Sequence, residues 1–155
     1  MGINKSQEQR RIERRLDVTT FLDRMKYALQ GGKARIIFQK NRRVDENRDE
    51  KYTNRYTILT LFPDEDEVEV LKRELAYLRY QDYIETVRDT RYPDRPDMRV
   101  FGKKYSNEDV YIKIRVELIN VIETGGDNFI FVMSFHFAEE VFVENDFPYR
   151  KNGGE

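Results

Sequence analysis

One histidine and no cysteine narrow the chemistry open to this chain of 155 residues. Without cysteine there is no thiolate nucleophile, no disulfide and no thiolate-ligated metal, and one histidine rules out a multi-histidine zinc site. Acid–base and charge chemistry remain. His136 stands in the run Phe129-Ile130-Phe131-Val132-Met133-Ser134-Phe135-His136-Phe137. A second segment, Val110-Tyr111-Ile112-Lys113-Ile114-Arg115-Val116, carries a phenol, an ammonium and a guanidinium at alternate positions. Histidine suits proton transfer because its ordinary pKa, about 6.5, lies near neutrality. A tyrosine positions or donates a proton, and Lys113 and Arg115 offset negative charge.

These side chains work together only if the elements that carry them bring them to one surface. Alternation through Val110–Glu117 is the period of a strand with one buried and one polar face. The apolar run around His136 reads as an interior strand, and Thr124-Gly125-Gly126-Asp127-Asn128 between them reads as a turn. Opposite residues of an antiparallel pair share a face and have a constant sum of residue numbers. An odd sum puts Val110, Ile112, Ile114 and Val116 with Phe129, Phe131, Met133, Phe135 and Phe137. It then gathers Tyr111, Lys113, Arg115, Ser134 and His136 on the other face. An even sum would bury His136 among isoleucines, and register follows the hydrophobic pattern, so the odd sum is expected.

Upstream, Asp17–Thr20 offer helix caps, Phe21, Leu22, Met25 and Leu29 recur at helical spacing, and Gly31-Gly32 supplies a stop. Ala34–Gln39 reads as a short strand. Residues 40–55 read as a solvated loop whose Arg42, Arg43, Arg48 and Arg55 are able to grip phosphate. Tyr56–Phe62 fits a strand or a short helix. Pro63 with the acids at 64–67 starts a helix whose stripe is Val68, Leu71, Leu75 and Leu78. After Phe137, Ala138–Val143 reads as an edge strand. Residues 6–16 are helix-prone and polar, open to reading as a solvated arm, a helical extension or a basic contact. The expected organisation is a polar extension over 1–16, one domain over 17–151 and a disordered tail over 152–155.

Composition sets wide bounds. Aromatic residues make up 13% of the chain, more than disordered chains carry. No apolar run reaches the roughly 18 residues of a membrane span, and the N-terminus is too polar for a secretory signal. A cytoplasmic protein without membrane contact or cofactor is expected. The first 55 residues carry 15 Lys/Arg against 8 Asp/Glu, the remainder 13 against 21. A basic first third can meet nucleic acid or an acidic partner, while the net charge of −1 keeps the whole from being a general nucleic-acid binder.

Several segments taken together resemble the MqsR family of bacterial toxins, which are RelE-like mRNA interferases. They are Asp97-Met98-Arg99-Val100-Phe101-Gly102-Lys103, Val110-Tyr111-Ile112-Lys113-Ile114, and Met133-Ser134-Phe135-His136 with Ala138-Glu139. Asn54-Arg55-Tyr56-Thr57-Ile58-Leu59, the Val68–Leu78 helix and Asp82-Tyr83 resemble the family's middle. The resemblance covers about 100 residues by motif order and spacing. It implies an α+β fold, a twisted antiparallel β-sheet packed against two or three helices. It also implies the toxin of a type II toxin–antitoxin system, an endoribonuclease that cleaves mRNA without metal, on the ribosome or free of it. The partners implied are RNA and a cognate antitoxin. Carried over by motif, Tyr111, Lys113 and His136 are the catalytic candidates; Arg99, Lys103, Lys104 and Arg115, cations in or beside the same strands, are the RNA-binding candidates by their charge. Arg99 stands where the family has tryptophan, and Ile84 and Glu85 stand where some members carry a catalytic lysine.

Such cleavage takes a base for the 2′-OH proton, an acid for the leaving 5′-oxygen and cations for the phosphorane. The polar hairpin face carries each type. A reading of a different class uses the same residues: a non-catalytic binding module or mobile-element regulator, in which Tyr111, Lys113 and Arg115 are a solvated strand face. Growth arrest on expression separates the two.

Overall fold

Alternation, caps and turn residues produce six strands and three helices in the computed structural model, which describes residues 7–32, 34–118 and 128–150. In chain order these are β1 (Glu8–Arg11), α1 (Arg15–Gln30), β2 (Ala34–Phe38), α2 (Asn54–Leu61), α3 (Glu67–Ala76), β3 (Tyr83–Asp89), β4 (Met98–Tyr105), β5 (Glu108–Leu118) and β6 (Asn128–Phe137). The strands form one sheet in the order β1-β3-β4-β5-β6-β2. All neighbours are antiparallel except β2, which runs parallel to β6. The expected α+β class, an antiparallel sheet packed against helices, is the one observed.

The helices pack on one face of the sheet. Val18, Leu22 and Met25 of α1, Ile58 of α2 and Val70, Leu71 and Leu75 of α3 meet Phe101, Val110, Ile112, Ile114, Ile130, Val132 and Phe135. Each fully buried side chain of this size contributes about 1.5–3 kcal/mol. Asp66 caps α3, accepting the Glu69 N–H at 3.0 Å, with Glu67 and Glu69 set against the positive end of the helix dipole. Residues 54–61 resolve as helix, capped by Thr53 accepting from Tyr56 N–H at 3.1 Å.

Three local expectations give way. α1 begins at Arg15, before the Asp17–Thr20 caps, and Asp17 in its first turn pairs with Arg14 at 2.9 Å. Residues 8–11 are an edge strand instead of helix or free arm, so the folded domain starts well before residue 17. β1 pairs with β3 and is pinned by Arg10 on Glu85 and by Arg11 on Asp97 at 2.7 Å. Residues 138–143 are irregular, not an edge strand. The Thr124–Asp127 turn and the 152–155 tail lie outside the described residues.

The β5–β6 register is odd where it was needed and shifts beyond. Tyr111 faces His136 and Lys113 faces Ser134, but the next pair is Ile114 with Val132. Met133 is therefore an extra residue, a β-bulge. The shift moves Phe129 and Phe131 to the face of Glu117 and Arg115, away from the helical core where the unbroken register had put them. Met133 leaves that core too and packs beside Tyr111 and Ile84 over Val87, Met98 and Val100.

Candidate functional site

The bulge builds the site. β2 pairs with β6 only as far as Val132, which leaves the outer edge of residues 133–137 without a strand. α2 takes its place with side chains: Asn54 Oδ1 accepts the Phe135 N–H and Thr57 Oγ1 accepts the Phe137 N–H, both at 2.9 Å. Asn54 Nδ2 donates to the Gln39 carbonyl at 2.8 Å and to the bulged Met133 carbonyl at 3.0 Å. Asn54 and Thr57 are fully buried. His136, held between two pinned neighbours, points by strand alternation to the face away from the helices.

On that face His136 stacks on Tyr111, ring centroids 5.4 Å apart at 20°. Its Nδ1 lies 2.9 Å from the Phe137 carbonyl, an acceptor only, so Nδ1 carries the proton and donates. Nε2 is thereby left as a lone pair, 3.4 Å from Arg48 Nη1. Burial, with Arg48 and Arg42 adding like charge, lowers His136 to about 4, so the ring is neutral near pH 7. Burial pushes the Tyr111 phenol up to about 12, which keeps its proton in place as a donor. Burial also lowers Lys113, against the pull of Glu8, whose Oε2 is 3.8 Å from Nζ.

The loop over residues 40–53 supplies two cations. Arg42 Nη1 donates to the Met133 carbonyl at 2.9 Å and to Ser134 Oγ at 3.1 Å, while Nη2 is 3.2 Å from Asp45. Arg48 reaches Tyr52 O, Asp45 and Glu139 at 3.4, 3.5 and 3.8 Å. Tyr111, Lys113, Ser134, His136 and both arginines line one open groove of about 820 Å³. The irregular segment 138–143 forms its opposite wall. That wall is anchored by Phe142, whose ring lies against Gly102: a Cβ there would sit 2.5 Å from Phe142 Cε2. Gly102→Ala should displace the ring and cost about 1–3 kcal/mol by overpacking. A thermal melt checks this, and an unchanged midpoint would mean that the wall is not seated there.

The three catalytic candidates are thus brought together; the four RNA-binding candidates are not. Arg99 lies on the helix side of the sheet opposite Ile114, bound by Glu13 at 2.8 and 3.1 Å and stacked over Phe21. Lys103, opposite Val110, donates to the Tyr77 carbonyl at 3.2 Å. Strand parity in β4 sends both away from the groove. Arg115 keeps the groove face but lies over Phe131, 3.0 Å from Glu117. Lys104 pairs with Asp109 at 2.9 Å, two residues before Tyr111. Glu8, Arg10 and Glu85, none of them a site candidate from the sequence, surround Lys113 with charge.

The low His136 pKa has a consequence for stability. The unfolded histidine takes up a proton near 6.5 and the folded one near 4. Between those values the unfolded state binds more protons, so stability falls as pH drops, by roughly 3 kcal/mol when the fall is complete. His136→Asn should lack that component. Urea midpoints of both proteins at pH 7 and pH 4.5 measure it, and parallel losses would show that the folded ring is not held neutral.

No protein-family model matches the chain, and neither does any curated protein or solved structure. No helix among the described residues is long and apolar enough to cross a membrane. No group of three or more His, Cys, Asp and Glu residues among them is placed to hold a metal ion.

Proposed function

We propose that this chain is a metal-independent endoribonuclease acting on mRNA, the toxin of a bacterial type II toxin–antitoxin pair, as its MqsR-like motifs imply. The observation that carries the reading is the neutral, Tyr111-stacked His136, with its Nε2 lone pair facing a groove that also holds Arg42, Arg48 and Lys113. In this reading the non-bridging oxygens of a phosphodiester lie toward the three cations. Nε2 takes the proton of the 2′-OH, and the 2′-oxygen attacks phosphorus to form a 2′,3′-cyclic phosphate. The Tyr111 phenol then protonates the departing 5′-oxygen. Burial is the main cause of the low His136 pKa; phosphate between Arg42 and Arg48 offsets the like charge that adds to it, and so makes the ring a stronger base when substrate is bound.

One observation favours the non-catalytic reading. Each groove cation already has a carboxylate within 4 Å: Asp45 for Arg42 and Arg48, Glu8 for Lys113. A phosphodiester must displace or share those partners. The experiment is incubation of a long RNA with purified protein, with and without ribosomes, followed by mapping of 5′ ends. Fragments with 5′-hydroxyl ends, unaffected by EDTA, support the nuclease. Intact RNA in both settings, with no growth arrest on expression, supports the binding module. Co-purification from the native host tests the antitoxin: a second polypeptide is expected on the groove, and repeated recovery of the free chain from its own operon would count against it.

A further inference from the structure

We propose that a second pocket, at the open edge of β4, binds a phosphate monoester. This does not rest on the nuclease reading. β3 begins at Tyr83 opposite Phe101, so Gly102–Tyr105 of β4 carry no strand on that side. The turn ahead of β3 and the final described segment, residues 142–150, flank this edge without filling it, leaving a pocket of about 360 Å³. Its apolar wall is Phe142 on Gly102, with Phe147 edge-on to Phe142 at 5.5 Å.

Cations enter from three separate segments: Arg79 before β3, Lys103 and Lys104 on β4, and Arg150 at the end. Two of the three facing acids are used in holding the walls. Asp82 Oδ2 accepts the Arg79 backbone N–H at 3.0 Å, and its Oδ1 lies 3.5 Å from Arg150 Nη2. Asp109 accepts Lys104 Nζ and the Phe142 N–H, each at 2.9 Å. The third, Glu144, is exposed and forms no ion pair among the described residues. The Arg79 guanidinium and the Lys103 ammonium have no carboxylate partner among the described residues. Lys103 donates to a neutral carbonyl, that of Tyr77, and its Nζ lies 5.9 Å from the Tyr77 ring centroid. Two uncompensated cations beside an aromatic wall fit a dianion carried on a ring or short chain. A guanidinium matches two oxygens of one phosphate, and an ammonium serves as a point charge for the third.

Isothermal titration of the whole protein with phenyl phosphate, at low and raised salt, tests this, with phenyl sulfate as the monoanionic control. Phenyl phosphate should bind more tightly than phenyl sulfate. The double variant Arg79→Gln/Lys103→Gln should weaken it by about tenfold or more, since each lost charge-assisted hydrogen bond is large on that scale. Both side chains lie at the surface, so the variant should fold. His136→Asn, which alters only the other groove, should bind as wild type does. A short DNA strand bound better with a 5′-phosphate than with a 5′-hydroxyl would make a nucleic-acid end the source of the phosphate. Equal binding of the two strands, with phenyl phosphate still held, would make it a free phosphorylated metabolite. Undiminished binding by the double variant, loss in His136→Asn, or no binding at millimolar concentration would overturn the proposal. None of these readouts involves RNA cleavage, so either idea can fail alone.

Discussion

Asn54→Ala should lower stability by roughly 2–5 kcal/mol, the sum of two or three buried polar groups left without partners. Alanine strands the Phe135 N–H and the Gln39 carbonyl, and leaves the bulged Met133 carbonyl to Arg42 alone. Asn54→Asp should fare no better. It keeps an acceptor for Phe135 but sets carboxylate oxygen against two carbonyls in a fully buried position. Thr57→Val is the milder probe: it removes only the acceptor for Phe137 N–H, at about 1–2 kcal/mol. Because His136 lies between the two pinned residues, Thr57→Val should also disturb the groove from the far side of the sheet. Urea unfolding of the three variants measures these losses. An Asn54→Ala variant as stable as wild type would mean that α2 does not replace the missing strand.

That replacement explains why part of the fold was legible and part was not. β4, β5 and the last residues of β6 alternate or run apolar, so their strand character follows from local pattern. Glu8-Gln9-Arg10-Arg11 has no apolar residue, and its strand state comes from Glu85 and Asp97, far away in sequence. The bulge is invisible in Phe129–Phe137 because one extra apolar residue leaves an apolar run unchanged. Arg42 looks like a solvated loop charge until that bulge offers the Met133 carbonyl to bind, and Arg48 until His136 is placed beside it. The placement of Arg99 and Lys103 was within reach. Ser106 and Asn107, both at positive φ, make a two-residue hairpin turn that pairs Tyr105 with Glu108. Counting back from that pair sets Arg99 opposite Ile114 and Lys103 opposite Val110, on the helix side. The motif resemblance named the residues, and parity was needed to sort them by face.

If the groove cleaves RNA, His136→Asn and Tyr111→Phe should each slow cleavage by about 10²–10⁴-fold, the range for loss of a positioned base or acid. Asparagine is the better replacement at His136. The ring is nearly buried and stacked, so alanine would add a packing loss to the chemical one. Tyr111→Phe keeps the stack and the apolar floor made with Val87, Met98 and Val100, and removes only the hydroxyl. Arg48→Gln and Lys113→Gln should act differently. They take away charge that meets the phosphate, so part of their effect should appear as weaker RNA binding with a shallower dependence on salt. Arg99→Gln provides the contrast: its partners are Glu13 and Phe21, so it should lower stability and leave the salt dependence of RNA binding alone. The measurements are single-turnover cleavage and equilibrium binding of an RNA with a blocked 2′-OH, across a salt series. Wild-type rates in both His136→Asn and Tyr111→Phe would remove the proposed acid and base. Full loss of cleavage with unchanged binding in those two, and coupled losses in Arg48→Gln and Lys113→Gln, is the pattern that this arrangement of side chains requires.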